Sequence, residues 1–402
     1  MIEGRDTMEL RERIDHSIDS IKDEMKAMGL EIHANPELGL NEYKACALQV
    51  NLLRKYGFEV EEKYCGFDTA YKASYIGKKQ GPKIAMLAEY DALPEIGHGC
   101  GHNLIATVSV AAGIAMREFA DEFGAEIYVI GTPAEETTGC KAPMSEMGAF
   151  DDMDVAMMTH PLILNLESPN TLAVKSVKFK YHGKTAHAAG MPEDGVNALD
   201  AVISLFNMIN ALRQQTKEDA RIHGIIIKGG EAPNIIPDYA EAFFFVRAAK
   251  IDYLEPLFEK VCNCAKGAAL GTGCTLEIEL CEGQFCDTNS NHALTAINTA
   301  AMNELGVTMI SFGDKPASGS SDMGNASYHV PAIQSGFDIT QGKYAAVHTR
   351  EFAELSCSDY ALDQAILFAK GFVMTGVELM RNPEHLKKIH EEFAKISRRP
   401  AD

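Results

Sequence analysis

A chain of 402 residues that is 46% hydrophobic can bury a sizeable core, and its length favours two domains over one. The formal net charge of -20 argues against nucleic acid or an anionic membrane surface as the main partner and reads as a solvated surface. No apolar run is long enough to span a bilayer and no secretory signal is evident, so the ten cysteines, without regular disulfide spacing, are expected to be thiols or ligands in a reducing cytoplasm.

The opening MIEGR resembles a protease-cleavable leader and is set aside in reading the fold. Thr7 to Met28 repeats apolar residues at helical spacing between charges and predicts one amphipathic helix. A Pro/Gly turn, a second helix and a strand after Gly57 follow. KIAMLAEYDALP, from Lys83, is an apolar run ending in acids and a proline, the pattern of a buried strand that delivers side chains at its carboxyl end. A helix rich in small residues comes next (LIATVSVAAGIAMREFA). AEIYVIGTPAEE, from Ala125, and VAMMTHP, from Val155, repeat the buried-strand pattern. Strands alternating with helices imply an α/β fold with a mixed, largely parallel sheet sandwiched by helices, whose sites lie beyond the strands' carboxyl ends.

The pattern then changes. TLAVKSVKFKYHGKTAHAA alternates at period two; a helix is expected from about Gly195 to Gln214, two strands around a Gly/Pro turn, a helix over Tyr253 to Gly267, and the strand CTLEIELCEG. The order β-α-β-β-α-β predicts an inserted ferredoxin-like α+β domain over residues 171–286, with the α/β domain formed by 1–170 and 287–402.

Chemistry-bearing residues gather at the strand ends. In HGCGH, Cys100 and His102 flank one glycine, and thiolate and imidazole are preferred ligands of borderline-soft divalent metals. Such a pair is weak alone, and no second Cys/His pair at short spacing makes it a structural zinc site. In GTPAEETTG, Glu135 and Glu136 are adjacent acids after a buried strand: either a solvated acidic turn, or one metal ligand beside one general base. His160 closes the third strand, where it could also be a capping or core histidine, and His348 lies in YAAVHTREF, in a Gly/Ser/Asp-rich region. Another reading makes Cys100 a nucleophile with His102 or His98 as its base, but it leaves the acids and distant histidines without a role.

The stretches IHANPELGLNEYKA, EYDALPEIGHGCGHNL, GTPAEE, HGKTAHAA, GGEAPNIIPDYAE, GSSDMGNASYHVPA and VHT, in that order along nearly the whole chain, resemble the dinuclear metal-dependent amidohydrolases related to aminoacylases, carboxypeptidase G and the auxin-conjugate hydrolases. The similarity is greatest to the branch of aminobenzoyl-glutamate hydrolase subunits and β-alanyl-lysine-type dipeptidases. It implies a zinc-peptidase-like catalytic domain, with the inserted domain as lid and dimerisation domain. Cys100, His102, Glu136, His160 and His348 are then ligands of two divalent ions per chain (Zn, Mn or Co), and Glu135 is the general base. Asp91 holds the place of an acid that orients a metal-bound histidine two residues earlier, but Glu89 stands there instead.

His187 matches a histidine that reaches across a dimer to stabilise an oxyanion; Asn234 and Arg247 match substrate contacts, with Arg247 pairing a carboxylate. The GSSD turn around Asp322 is expected to line the substrate pocket without an assigned role. The resemblance implies a homodimer or higher oligomer, and the lack of a secretory signal a cytoplasmic location. Such a chain would hydrolyse the amide bond of a small N-acyl amino acid, dipeptide or aminobenzoyl-glutamate-like conjugate with a free carboxylate; the acidic charge and the lack of a long apolar run argue for no nucleic acid and no membrane as partner. A non-catalytic or hetero-oligomeric subunit with the same fold is the alternative.

Overall fold

A computed structural model describes residues 2–313 and 319–395, with side chains from residue 8 onward. The described residues form two compact units, one of residues 2–170, 288–313 and 325–395, the other of 171–287 and 319–324.

The chain opens with α1 (Ile2–Asp19) and α2 (Lys22–Ala34). The apolar stripe Ile14, Ile18, Ile21, Met25, Met28, Ile32 is buried along both and advances by four and three residues in turn. That stripe is why the sequence reads as one helix. The backbone nevertheless breaks at Ser20 and Ile21, where the Ser17 and Ser20 hydroxyls donate to the carbonyls of Ile14 and Ser17 (2.9 and 3.0 Å). Serine hydroxyls that compete for helix carbonyls favour such an interruption.

Next come α3 (Tyr43–Lys55), β1 (Glu59–Glu62), β2 (Tyr71–Ile76), β3 (Lys83–Ala88), α4 (His102–Phe119), β4 (Glu126–Gly131), α5 (Lys141–Glu146) and β5 (Val155–Leu162). The second unit holds β6 (Ala173–His182), α6 (Ala198–Leu212), β7 (Arg221–Lys228), β8 (Tyr239–Ala248), α7 (Ile251–Thr272) and β9 (Thr275–Leu280). The chain then runs through α8 (His292–Glu304), α9 (Met323–Ala326), β10 (Ala332–Asp338), α10 (Arg350–Leu355), α11 (Asp359–Arg381) and α12 (Pro383–Phe393). Among the described residues, no helix is long and apolar enough to cross a membrane.

The first sheet has the order β1-β2-β4-β3-β5-β10. Its β4-β3-β5-β10 part is parallel, with β1 and β2 antiparallel at one edge, so the expected mixed, largely parallel sheet is present. Strands β3 and β4 pair in register from Lys83 with Glu126 to Ala88 with Gly131, and their carboxyl ends therefore coincide. The segments carrying Asp91 and Glu135–Glu136 leave the sheet together. Helix α4 is buried along almost its whole length, which its small residues permit: a Cβ on Gly113 would lie 2.3 Å from the Val129 side chain.

The second sheet is antiparallel in the order β7-β8-β6-β9, and the chain order is the expected β-α-β-β-α-β. Along β8 the alternate residues Ala240, Ala242, Phe244, Val246 and Ala248 are buried and those between are partly exposed, the period-two pattern of a sheet covered on one face. Phe206 of α6 meets Phe244 at 4.7 Å between ring centroids, and the Tyr181 hydroxyl of β6 donates to the Ala265 carbonyl of α7.

Gly131 ends β4 opposite Tyr71, whose ring lies across the glycine; a Cβ there would come within 2.2 Å of that ring and 2.8 Å of the Tyr90 hydroxyl. Both tyrosines are fully buried, and their hydroxyls are tied to Gln49 and to the Thr69 carbonyl, so neither ring can yield. Gly131→Ala is expected to destabilise the protein by about 1–3 kcal/mol, seen as a lower urea midpoint at unchanged m-value.

Candidate metal centre

Asp91 follows β3 and is fully buried; its Oδ1 accepts from His102 Nδ1 at 2.8 Å and its Oδ2 from the Glu136 backbone N–H at 3.0 Å. The histidine partner absent at position 89 is thus supplied by His102, the first residue of α4. With Nδ1–H committed to Asp91, Nε2 is the atom left to bind a metal. That Nε2 is buried without a hydrogen-bond partner, and so is Glu136 Oε1, 3.9 Å away.

The other expected ligands converge on the same place. Cys100 Sγ lies 3.6 Å from His160 Nε2 and 3.2 Å from His348 Nε2. His348 Nε2 is 3.5 Å from Glu136 Oε1. His160 donates Nδ1–H to the Pro161 carbonyl at 2.7 Å, which leaves its Nε2 toward the thiol. His348 sits in left-handed backbone (φ 65°), held by its N–H to the Gly99 carbonyl at 2.8 Å. Gly101, also left-handed at φ 75°, turns the chain between Cys100 and α4; a Cβ there would meet Pro161 at 2.8 Å.

Three sets of side chains each place their donor atoms within 4.8 Å of one another: Cys100, His102 and His160; Cys100, Glu136 and His348; and His102, Glu135 and Glu136. Overlapping sets of thiol, imidazole and carboxylate suit borderline divalent ions, and orphaned buried atoms at their centre fit such ions rather than an ordinary polar core.

The electrostatics follow from burial. Burial, the largest influence, lowers the His102 pKa, but Asp91, Cys100 and Glu89 together raise it well above the ordinary imidazole value. Burial holds the Cys100 thiol well above its usual pKa. For Glu136 burial acts upward, yet the nearby His348 ring and the charge of His102 keep its carboxyl well below the usual range. A divalent ion takes the place of the imidazole and thiol protons when it binds.

His98 does not join the cluster. Its Nε2 bonds the Ile32 carbonyl of α2 at 3.1 Å, its ring lies 5.9 Å from that of His33, and burial, then His102 and His33, lower its pKa to about 3.

Two residues escaped the sequence reading. Lys141, at the start of α5, is fully buried with Nζ 2.5 Å from Glu89 Oε1. Glu42, fully buried before α3, accepts from the Thr69 hydroxyl at 2.8 Å and from the Ala134 N–H at 2.7 Å. Ala134 has φ 58°, a left-handed conformation that favours glycine, and directly precedes Glu135 and Glu136. Glu42 therefore braces the turn that presents both acids. A glutamate before a helix reads as a cap and a lysine opening one as solvated, so neither carried a signal.

His187, Asn234 and Arg247 belong to the second unit. His187 is exposed, and its Nδ1 accepts the N–H groups of Ala189 and Gly190 (3.3 and 3.0 Å), so its proton is on Nε2. The Asn234 carbonyl accepts the Ala188 N–H at 3.0 Å, which pairs the two segments. Arg247 is half-buried on the face of β8 away from the buried alternate residues; it donates to Ser320 Oγ at 2.9 Å and lies 5.5 Å from the Phe245 ring centroid.

Burial raises the Glu42 carboxyl from 4.5 to about 7, against the hydrogen bonds from Thr69 and Ala134 and with Asp91 adding to the rise. The folded chain thus keeps this proton while the unfolded chain loses it, and stability falls as pH rises from 4.5 to 7, by about 3 kcal/mol for this group. Unfolding measured across that range should show the wild-type chain losing this amount relative to Glu42→Gln, which carries no titrating group there.

Residues 173–271 match the family described as "Peptidase dimerisation domain". The chain is 37% identical to Xaa-Arg dipeptidase of Mus musculus, over 96% of this chain and 92% of that protein. It is 32% identical to a p-aminobenzoyl-glutamate hydrolase subunit of Escherichia coli (strain K12), over 66% of this chain and 59% of that one. Among solved structures, a dinuclear metal-binding peptidase of the M20 family from Bacillus subtilis superposes with a TM-score of 0.66 at 18% identity, covering 88% of this chain and 98% of that one. An aminobenzoyl-glutamate utilization protein from Klebsiella pneumoniae gives 0.71 at 18% identity, over 92% and 98%.

Proposed function

The chain belongs to the M20 family of metal-dependent peptidases and amidohydrolases, and on that premise we propose that it hydrolyses the amide bond of a small dipeptide or N-acyl amino acid bearing a free carboxylate. The observation that carries this reading is the convergence of Cys100, His102, Glu136, His160 and His348, with His102 Nε2 and Glu136 Oε1 buried and unpartnered at its centre. These five residues would hold two divalent ions, and residues 2–170 with the later α/β segments would be the catalytic domain. Such ions supply Lewis acidity, polarising the scissile carbonyl and letting water lose a proton at about pH 7.

Glu135, within reach of His102 and Glu136, takes the proton of the attacking water and delivers it to the leaving amine. Asp91 keeps His102 in the tautomer that leaves Nε2 open. His187, whose Nε2–H is set as a donor by two backbone N–H groups at Nδ1, donates to the developing oxyanion in the neighbouring protomer. Arg247 pairs with the substrate carboxylate, and Asn234 adds a polar contact. A homodimer is favoured by β7, an edge strand that exposes Ile225, Ile226 and Ile227. Such an edge is a template for a second strand.

The substrate screen begins with Xaa-Arg dipeptides, after the mouse relative, and continues through other dipeptides, N-acyl amino acids and aminobenzoyl-glutamate. Activity is expected to vanish with EDTA and to return with Mn, Co or Zn. Activity that survives complete metal removal would instead support Cys100 as a nucleophile. Glu135→Gln should lower kcat by about 10²–10⁴-fold with metal content unchanged; near-normal turnover would remove Glu135 from the role of base. Mixing His187→Ala and Glu135→Gln chains under subunit exchange should restore one working site per mixed dimer, and no recovery would count against a histidine acting across the dimer.

A further inference from the structure

Glu89 lies fully buried just after β3, where its two carboxylate oxygens have different surroundings. Oε1 is held by the buried Lys141 ammonium at 2.5 Å. Oε2 has no hydrogen-bond partner and stands 3.4 Å from His102 Nε2, itself without one. That separation exceeds an ordinary N–H···O bond of about 2.7–3.2 Å. It matches the donor–donor edge of a tetrahedral ion, about 3.3–3.6 Å for bonds of about 2.0–2.2 Å. The Cys100–His348, Cys100–His160 and Glu136–His348 separations fall at or near the same edge length, at 3.2, 3.6 and 3.5 Å.

We propose that Glu89 is a further metal ligand, binding through Oε2 the ion held by His102, and that Lys141 keeps Oε1 occupied so that the carboxylate binds through one oxygen. The inference rests on the metal-centre reading above. Lys141 also offsets the charge of Glu89 in a low-dielectric interior, where an unpaired carboxylate is costly.

The test is a titration of the metal-free full chain with Co²⁺ and Zn²⁺, read by competition with a chelating dye and by the visible Co²⁺ spectrum. Wild-type chain should take up two ions. Glu89→Gln should weaken one of them by about 10–100-fold, alter the spectrum of that ion and leave the other at wild-type affinity. Because Glu89→Gln removes a carboxylate that faces the buried Lys141 ammonium, the double variant Glu89→Gln/Lys141→Met removes both charges together and should show the same selective weakening in a chain with wild-type circular dichroism. Two ions bound at wild-type affinity with an unchanged Co²⁺ spectrum, in either folded variant, would overturn the role of Glu89. Failure of the wild-type chain to bind divalent ions would overturn the metal-centre reading itself, a separately visible result.

Discussion

The centre is organised by one carboxylate. Asp91 accepts from the His102 ring with one oxygen and from the Glu136 backbone with the other, and so ties the start of α4 to the turn after β4. The two contacts differ in kind. The first fixes a tautomer, the second the path of a backbone. Asp91 itself is fully buried, where a hydrogen bond to a charged acceptor is strong and its loss leaves an unpaired polar group. The His102 and Glu136 donors therefore stand on two segments that this acid ties together.

The parallel register of β3 and β4 makes that contact possible. Because Ala88 and Gly131 end opposite one another, the segments that follow leave the sheet side by side. The β4 turn then doubles back through left-handed Ala134, which Glu42 holds from α3's amino end by its N–H. A turn carrying two acids near a third would repel itself open in water. Here the Glu136 N–H offsets the charge of Asp91 before any ion binds, and Glu42, which burial keeps protonated up to about pH 7, adds none.

Much of this architecture was legible from local pattern. Three buried strands ending in polar residues placed the site at one edge of a parallel sheet, and the period-two stretch from Thr171 marked the inserted unit. The candidate ligand set needed the family resemblance, because Cys100, Glu136, His160 and His348 are separated in sequence and brought together only by the fold. Local pattern misled where a physical detail interrupted it. The apolar stripe of α1 and α2 continues through Ser20, but the backbone does not. In HGCGH the two histidines look alike, yet His98 bonds a carbonyl of α2 and His102 faces the acids. Burial of Lys141 is a tertiary fact with no local mark.

A common rule joins the residues of the centre. In His102 and His160, Nδ1 is tied to a protein acceptor and Nε2 is left facing the other donors. In Glu89, Oε1 is tied to Lys141 and Oε2 is left open. His187, in the other unit, repeats the division in reverse polarity: two N–H groups hold Nδ1, and Nε2 keeps its proton to donate. A side chain fixed by one polar atom and open at the other has already surrendered its rotamer freedom, so an ion or oxyanion that meets it orders little further. The unsatisfied atoms are therefore not defects of packing. They are the part of each side chain that the fold withholds from itself, and their convergence sets this cluster apart from an acidic turn that happens to contain histidines.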